Sequence, residues 1–277
     1  TSDSLGNQKK TNYALATSLS KKDFIKEVTT GIAPPPAYFP KNVWMNKGVN
    51  SSIDEVISRG MTPLKLESFK TLAQDPEYLV LDVRSPQEYT AGAVPGSWFI
   101  GLDGQFAPWV GSLIEDIDQK IILIAPLGRE EEAVTRLARV GYDNAQGYLL
   151  GGFSTWEESG ANTTSIENIT AQSFIDGLED HSIQNPIDAR KPGEYESGHI
   201  CSVPLQTLDA VHKEITSLDT TKTYHIYCGG GYRSVIYASI AQANDIKNVV
   251  NVEGGYAAIK KTNLKNQKIV ATSNCSL

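Results

Sequence analysis

The chain contains one segment twice. Offset by 106 residues, Asp82-Val83-Arg84-Ser85-Pro86-Gln87-Glu88-Tyr89 falls on Asp188-Ala189-Arg190-Lys191-Pro192-Gly193-Glu194-Tyr195, and Gly92 falls on Gly198. Offset by 103, Gly128 falls on Gly231 and Gly151-Gly152-Phe153 on Gly254-Gly255-Tyr256. Two such registers mean one structural unit used in tandem. At 277 residues there is room for two units, each large enough to bury its own core.

The unit reads as α/β. In the first copy Leu64-Lys65-Leu66 predicts a short strand, Glu67 to Ala73 a helix, and Tyr78-Leu79-Val80-Leu81 a buried strand that ends at Asp82-Val83-Arg84. Ile121-Ile122-Leu123-Ile124-Ala125 is an unbroken apolar run, the mark of a central strand covered on both faces, and Glu130 to Val140 follows as a helix. Alternation of this kind predicts a central parallel sheet flanked by helices. The expected domains are a first repeat over 61–160 and a second over 161–277, preceded by an ordered connector over 1–60. In the connector, Lys21 to Val28 has a helical pattern, Pro34-Pro35-Pro36 forces extended backbone, and Tyr38, Phe39 and Trp44 are expected to pack on a neighbour. The start at Thr1, polar and without a signal-peptide core, is read as a cut in something longer.

The net charge of −7 without a long basic run argues against nucleic acid and anionic membrane as partners. Cys201, Cys228 and Cys275 are few, odd in number and without metal-ligand spacing, which favours a reduced, cytoplasmic compartment and implies no cofactor in this chain. Cys201 aligns with Pro95 and is expected to be a packed thiol.

The chemistry concentrates in Tyr224-His225-Ile226-Tyr227-Cys228-Gly229-Gly230-Gly231-Tyr232-Arg233-Ser234, read as strand, tight loop and helix start. The bland reading of Cys228 is a buried thiol closing a core strand. Three glycines argue against it, because they cost conformational entropy and belong where backbone approaches something closely. The expected site has Cys228 as nucleophile, cradled by the amides of Gly229, Gly230, Gly231, Tyr232, Arg233 and Ser234. A helix N-terminus and the fixed charge of Arg233 add positive potential. Asp188 is assigned a supporting part in shaping the pocket. Arg84 and Arg190 are expected to pair with Glu88 and Glu194, each four residues on. Opposite the loop, the first repeat has Ala125-Pro126-Leu127-Gly128-Arg129-Glu130, with no nucleophile and the opposite charge at the arginine position, so it is expected to be inactive.

Cys-x-x-Gly-x-Arg (228 to 233) resembles the active-site loop of the rhodanese family, and Asp-x-Arg-x-Pro-x-Glu-Tyr followed by Gly-His-Ile (198 to 200) resembles its opening motif. The resemblance implies two tandem rhodanese-like domains, one degenerate, and transfer of sulfane sulfur through a Cys228 persulfide, from thiosulfate or a low-molecular-weight persulfide to a thiol acceptor. Thr11-Asn12-Tyr13-Ala14-Leu15, the run from Pro34 to Pro40, Gly101 to Ala107 and Gly128 to Ala133 are similar to the C-terminal part of bacterial fusions between a metallo-β-lactamase-fold persulfide dioxygenase and rhodanese domains. That implies a metal domain before Thr1 in the parent chain; its His-x-His-x-Asp-His ligands are absent here. Two alternatives stay open: a phosphatase or arsenate reductase of the same fold, whose loop Cys-x5-Arg holds one more residue, and a non-catalytic sulfur-binding or scaffold module.

Overall fold

The computed structural model describes residues 2–15, 18–30, 39, 43 and 52–262, together with the backbone of Ile269–Val270. The chain divides into a unit of residues 1–36 and a larger unit that follows. The small unit has helices Leu5–Thr11 and Lys21–Thr29, started by Ser4 and Ser20, whose side chains accept from the amides of Asn7 and Asp23. The helix expected from Lys21 is therefore present, and none of the residues in these helices is buried. Phe39 is half-exposed; Tyr38 and Trp44, the other two aromatics expected to pack, lie outside the described residues.

The larger unit contains both repeats. The first has strands β1 (Pro63–Leu64), β2 (Tyr78–Asp82), β3 (Trp98–Phe99), β4 (Lys120–Ile124) and β5 (Ala145–Leu149), in the order β1-β5-β4-β2-β3, all parallel. The second has β6 (Glu167–Ile169), β7 (Pro186–Asp188), β8 (His199–Ile200), β9 (Tyr224–Tyr227) and β10 (Val249–Val252), with a parallel sheet β6-β10-β9-β7. Here β8 stands apart and pairs antiparallel with β11 (Ile269–Val270). The strand order is the same in both copies through four positions, as the internal repeat demands. β4 is buried along Ile121 to Ile124 because helices cover both of its faces, which is what its apolar run required.

The helix Ile53–Gly60 packs into the first repeat, although its sequence falls within the expected connector: Val56 is buried, and a Cβ at Gly60 would overlap Val134. No described helix is long and apolar enough to cross a membrane.

The paired motifs have one structural explanation. Arg190 donates to both oxygens of Asp188 at 2.7–3.0 Å and to the Gly198 carbonyl at 2.9 Å, and its guanidinium lies 3.7 Å from the centre of the Tyr256 ring. Arg84 does the same with Asp82, Gly92 and Phe153. Asp82, Arg84, Gly92 and Phe153, and their counterparts Asp188, Arg190, Gly198 and Tyr256, thus form one such cluster per repeat. This corrects the expected pairing with Glu88 and Glu194. Each arginine sits in a bend two residues past its strand end, where its own amide also donates to the Asp carboxylate at 3.0 Å, and helices begin only at Pro86 and Pro192, so the helical i, i+4 geometry is not available to the arginines.

The repeats share a core. The helix Tyr232–Ala243 is buried from Ser234 through Ala241, apolar all round because it lies between its own sheet and β3 of the first repeat. The Ser239 hydroxyl accepts the Phe99 amide at 3.0 Å, satisfying an edge-strand donor from the other repeat.

Candidate functional site

Cys228 follows β9 at the carboxyl edge of the second sheet, where α/β folds place their ligands. Its side chain is buried, and it is the free cysteine among the described residues. Gly231, at φ +97°, turns the chain into the helix Tyr232–Ala243, and its amide donates to the Cys228 sulfur at 3.1 Å. The Ser234 hydroxyl lies 3.5 Å from the same sulfur and 2.6 Å from the Asn251 Oδ1. Of the amide cradle expected from Gly229 to Ser234, the Gly231 N–H is the one on the sulfur.

What leaves that amide free is the neighbouring glycine pair. The carbonyls of Cys228 and Gly229 accept from Tyr256 and Ala257 at 2.7 and 3.0 Å, at the start of the helix Gly255–Ile259. With its carbonyls engaged there, the loop turns amides toward the sulfur. A Cβ at Gly255 would come 2.2 Å from the Cys228 carbonyl oxygen, so only glycine allows this approach.

Arg233 is held by Glu194: Nη1 to Oε2 at 2.5 Å and Nη2 to Oε1 at 2.7 Å. The ion pair drives Glu194 down to about 2 and raises Arg233, to which the adjacent Cys228 also contributes. Asp188, by contrast, is fully buried against Arg190 and is not among the residues that line the cleft over Cys228.

That cleft encloses about 450 Å³. Lys191, Glu194 and Arg233 line it on the second repeat's side, and Gly104, Gln105 and Trp109 come from the first repeat. The two sides are tied at Tyr232, whose hydroxyl donates to the Gly101 carbonyl at 2.8 Å and whose ring would overlap any Cβ at Gly104. The repeat without a cysteine therefore contributes part of the site. Sequence reasoning missed these residues, because 104–109 and 228 are joined only through tertiary structure; it also missed Glu194, which it assigned to Arg190. A polar chain continues behind the loop, from Ser234 to Asn251, to Asn168 (2.8 Å) and to Thr90 of the first repeat (2.9 Å).

Cys201 is exposed and disulfide-bonded rather than a packed thiol. Cys275 lies outside the described residues. In the first repeat Ala125 occupies the Cys228 position, and Arg129 is engaged by Asp103 and Glu132.

The chain is 31% identical over 99 residues to "Putative sulfur carrier protein YrkF" of Bacillus subtilis, an alignment covering 36% of this chain and 54% of that one, so the chain spans about half the length of this relative. It is 30% identical over 94 residues to "Uncharacterized protein YqhL" of the same organism, covering 33% of this chain and 70% of the relative. The crystal structure of a rhodanese-like domain protein from Staphylococcus aureus is similar at 27% identity and a TM-score of 0.34, over 38% of this chain and 99% of that one. Residues 65–159 and 170–262 each match the rhodanese-like domain, and with the two repeats that fold and sequence both define, the chain belongs to the rhodanese-like family.

Proposed function

We propose that the chain is a sulfurtransferase working through a persulfide on Cys228. The Cys228 thiolate attacks the outer sulfur of a sulfane donor, either thiosulfate or a low-molecular-weight persulfide. A bond forms between the two sulfurs, the donor's own S–S bond breaks, and sulfite or a thiolate leaves with the electron pair. An acceptor thiolate then attacks the outer sulfur of the Cys228 persulfide, carries it away and restores the Cys228 thiolate.

The observation that carries this reading is Cys228 itself: a free cysteine at a strand end, with the Gly231 amide 3.1 Å from its sulfur and a helix N-terminus behind it. Amide and helix end stabilise negative charge on sulfur at each step, as an oxyanion hole does on oxygen. Family membership and the sulfur-carrier name of the Bacillus relative support sulfur transfer over other chemistry. The short loop from Cys228 to Arg233 fits a sulfur atom better than a tetrahedral phosphate. We further propose that the parent protein joins these repeats to a metallo-β-lactamase-fold domain that oxidises persulfide, on the resemblance of the segments around Thr11, Pro34 and Gly101.

Incubation with thiosulfate or an organic persulfide, followed by peptide mass spectrometry, tests the reading: one sulfur atom is expected on Cys228. A donor-treated protein with Cys228 unmodified would overturn it.

A further inference from the structure

We propose that Glu194 is a specificity-determining residue of this transfer: by holding Arg233 in a fixed two-point ion pair beside Cys228, it sets the cleft against dianionic sulfur donors and in favour of donors carrying a single negative charge, such as an organic persulfide or thiosulfonate. The inference rests on the sulfurtransferase reading and deepens it.

The pair is built, not incidental. Glu194 sits in the first turn of the helix Pro192–Ser197, and its Oε2 also accepts the Lys191 amide at 3.1 Å, so the carboxylate is fixed by backbone before Arg233 reaches it. In the first repeat Glu88 has the same capping duty, and Oε2 alone performs it, accepting from the Ser85 amide at 2.9 Å and the Ser85 hydroxyl at 2.5 Å. Capping therefore explains one oxygen of Glu194. Both oxygens engage Arg233 in the parallel, two-bond geometry that guanidinium otherwise offers to a substrate anion. The pair also lies against the catalytic loop, since a Cβ on Gly229 would come 2.8 Å from Arg233 Nη2 and 3.3 Å from Glu194 Oε1.

The consequence is electrostatic. Arg233 and Glu194 offset each other, and Lys191, 5.8 Å from the Trp109 ring, offsets the Cys228 thiolate, so two positive and two negative groups lining the cleft sum to about zero. With Glu194 driven down to about 2, its carboxylate stays ionised above about pH 4.5. A dianion approaching the Cys228 thiolate meets about twice the repulsion that a monoanion meets, and no net positive charge in the cleft opposes it.

The test compares thiosulfate, a dianion, with benzenethiosulfonate, a monoanion, as donors to the full chain and its Glu194→Gln variant. Expected is a rise of about tenfold in kcat/KM for thiosulfate, mostly through KM, against less than about threefold for benzenethiosulfonate, with the difference shrinking as salt rises. Glu194→Asp, which keeps the charge, should leave the ratio of the two donors within about twofold of the unaltered protein. The unaltered protein provides a measurement independent of variant folding: methanesulfonate should inhibit Cys228 labelling at lower concentration than sulfate. Equal factors for both donors in Glu194→Gln, or sulfate inhibiting better than methanesulfonate, overturns the inference while leaving sulfur transfer intact. Failure of every donor to label Cys228 in the unaltered protein overturns both.

Discussion

Gly255 and Gly230 flank the same sulfur and differ in what they tolerate. Gly255 has φ +52° and almost touches the Cys228 carbonyl, whereas Gly230 has no atom within 4 Å of where a Cβ would stand. Gly255→Ala is expected to destabilise by about 1–3 kcal/mol and to disrupt transfer by displacing Cys228, while Gly230→Ala stays within about 0.5 kcal/mol. Urea unfolding of the two variants side by side checks this, and equal losses would refute the account of the glycine pair. Glu194 supplies a pH signature. Its carboxyl is lowered from an ordinary 4.5 to about 2 by Arg233, so the pair's contribution is complete above about pH 4.5 and is lost as pH falls through about 2. The melting-temperature gap between the unaltered protein and Glu194→Gln should be flat from neutral pH to about 4.5 and close below it; a gap that widens on acidification would show that the sign is wrong.

At the scale of elements, each strand that ends in Asp delivers a buried ion pair to the turn after it. Arg190→Leu would strand Asp188 in the core without a partner, at an expected cost of about 3–5 kcal/mol by chemical denaturation. A small cost would mean that Asp188 finds water or another donor. The strand-loop-helix element gives a physical reason to expect the first repeat to be inactive. Gly128, at φ +81°, keeps the backbone turn of Gly231, but Pro126 and Leu127 stand where the second repeat has Gly229 and Gly230, and Arg129 is committed to Asp103 and Glu132. Ala125→Cys with Glu130→Arg is therefore expected to give no efficient sulfur transfer, measured with Cys228→Ser in the same chain to remove the native site. Robust transfer from the grafted cysteine would show that the loop backbone is not what limits it.

For the whole molecule, the core that runs through β3 and the helix Tyr232–Ala243 predicts that the two repeats unfold together. Calorimetry should show one transition for the tandem, and two well-separated transitions would contradict a shared core. The sequence by itself determined the tandem and the parallel α/β character of each unit, because those rest on period and apolar runs, which are local properties of the chain. It also named the right residues for the wrong partners: Arg84 and Arg190 were legible as ion-pairing, but choosing Asp82 and Asp188 over Glu88 and Glu194 required knowing that each arginine lies in the bend after its strand, before the helix begins. Only the tertiary structure decided that Glu194 belongs to Arg233 and that Gly104, Gln105 and Trp109 line the cleft over Cys228. Each of those is a contact between residues distant in sequence, and no spacing along a chain encodes which two loops the packing of two sheets and a shared helix will bring face to face.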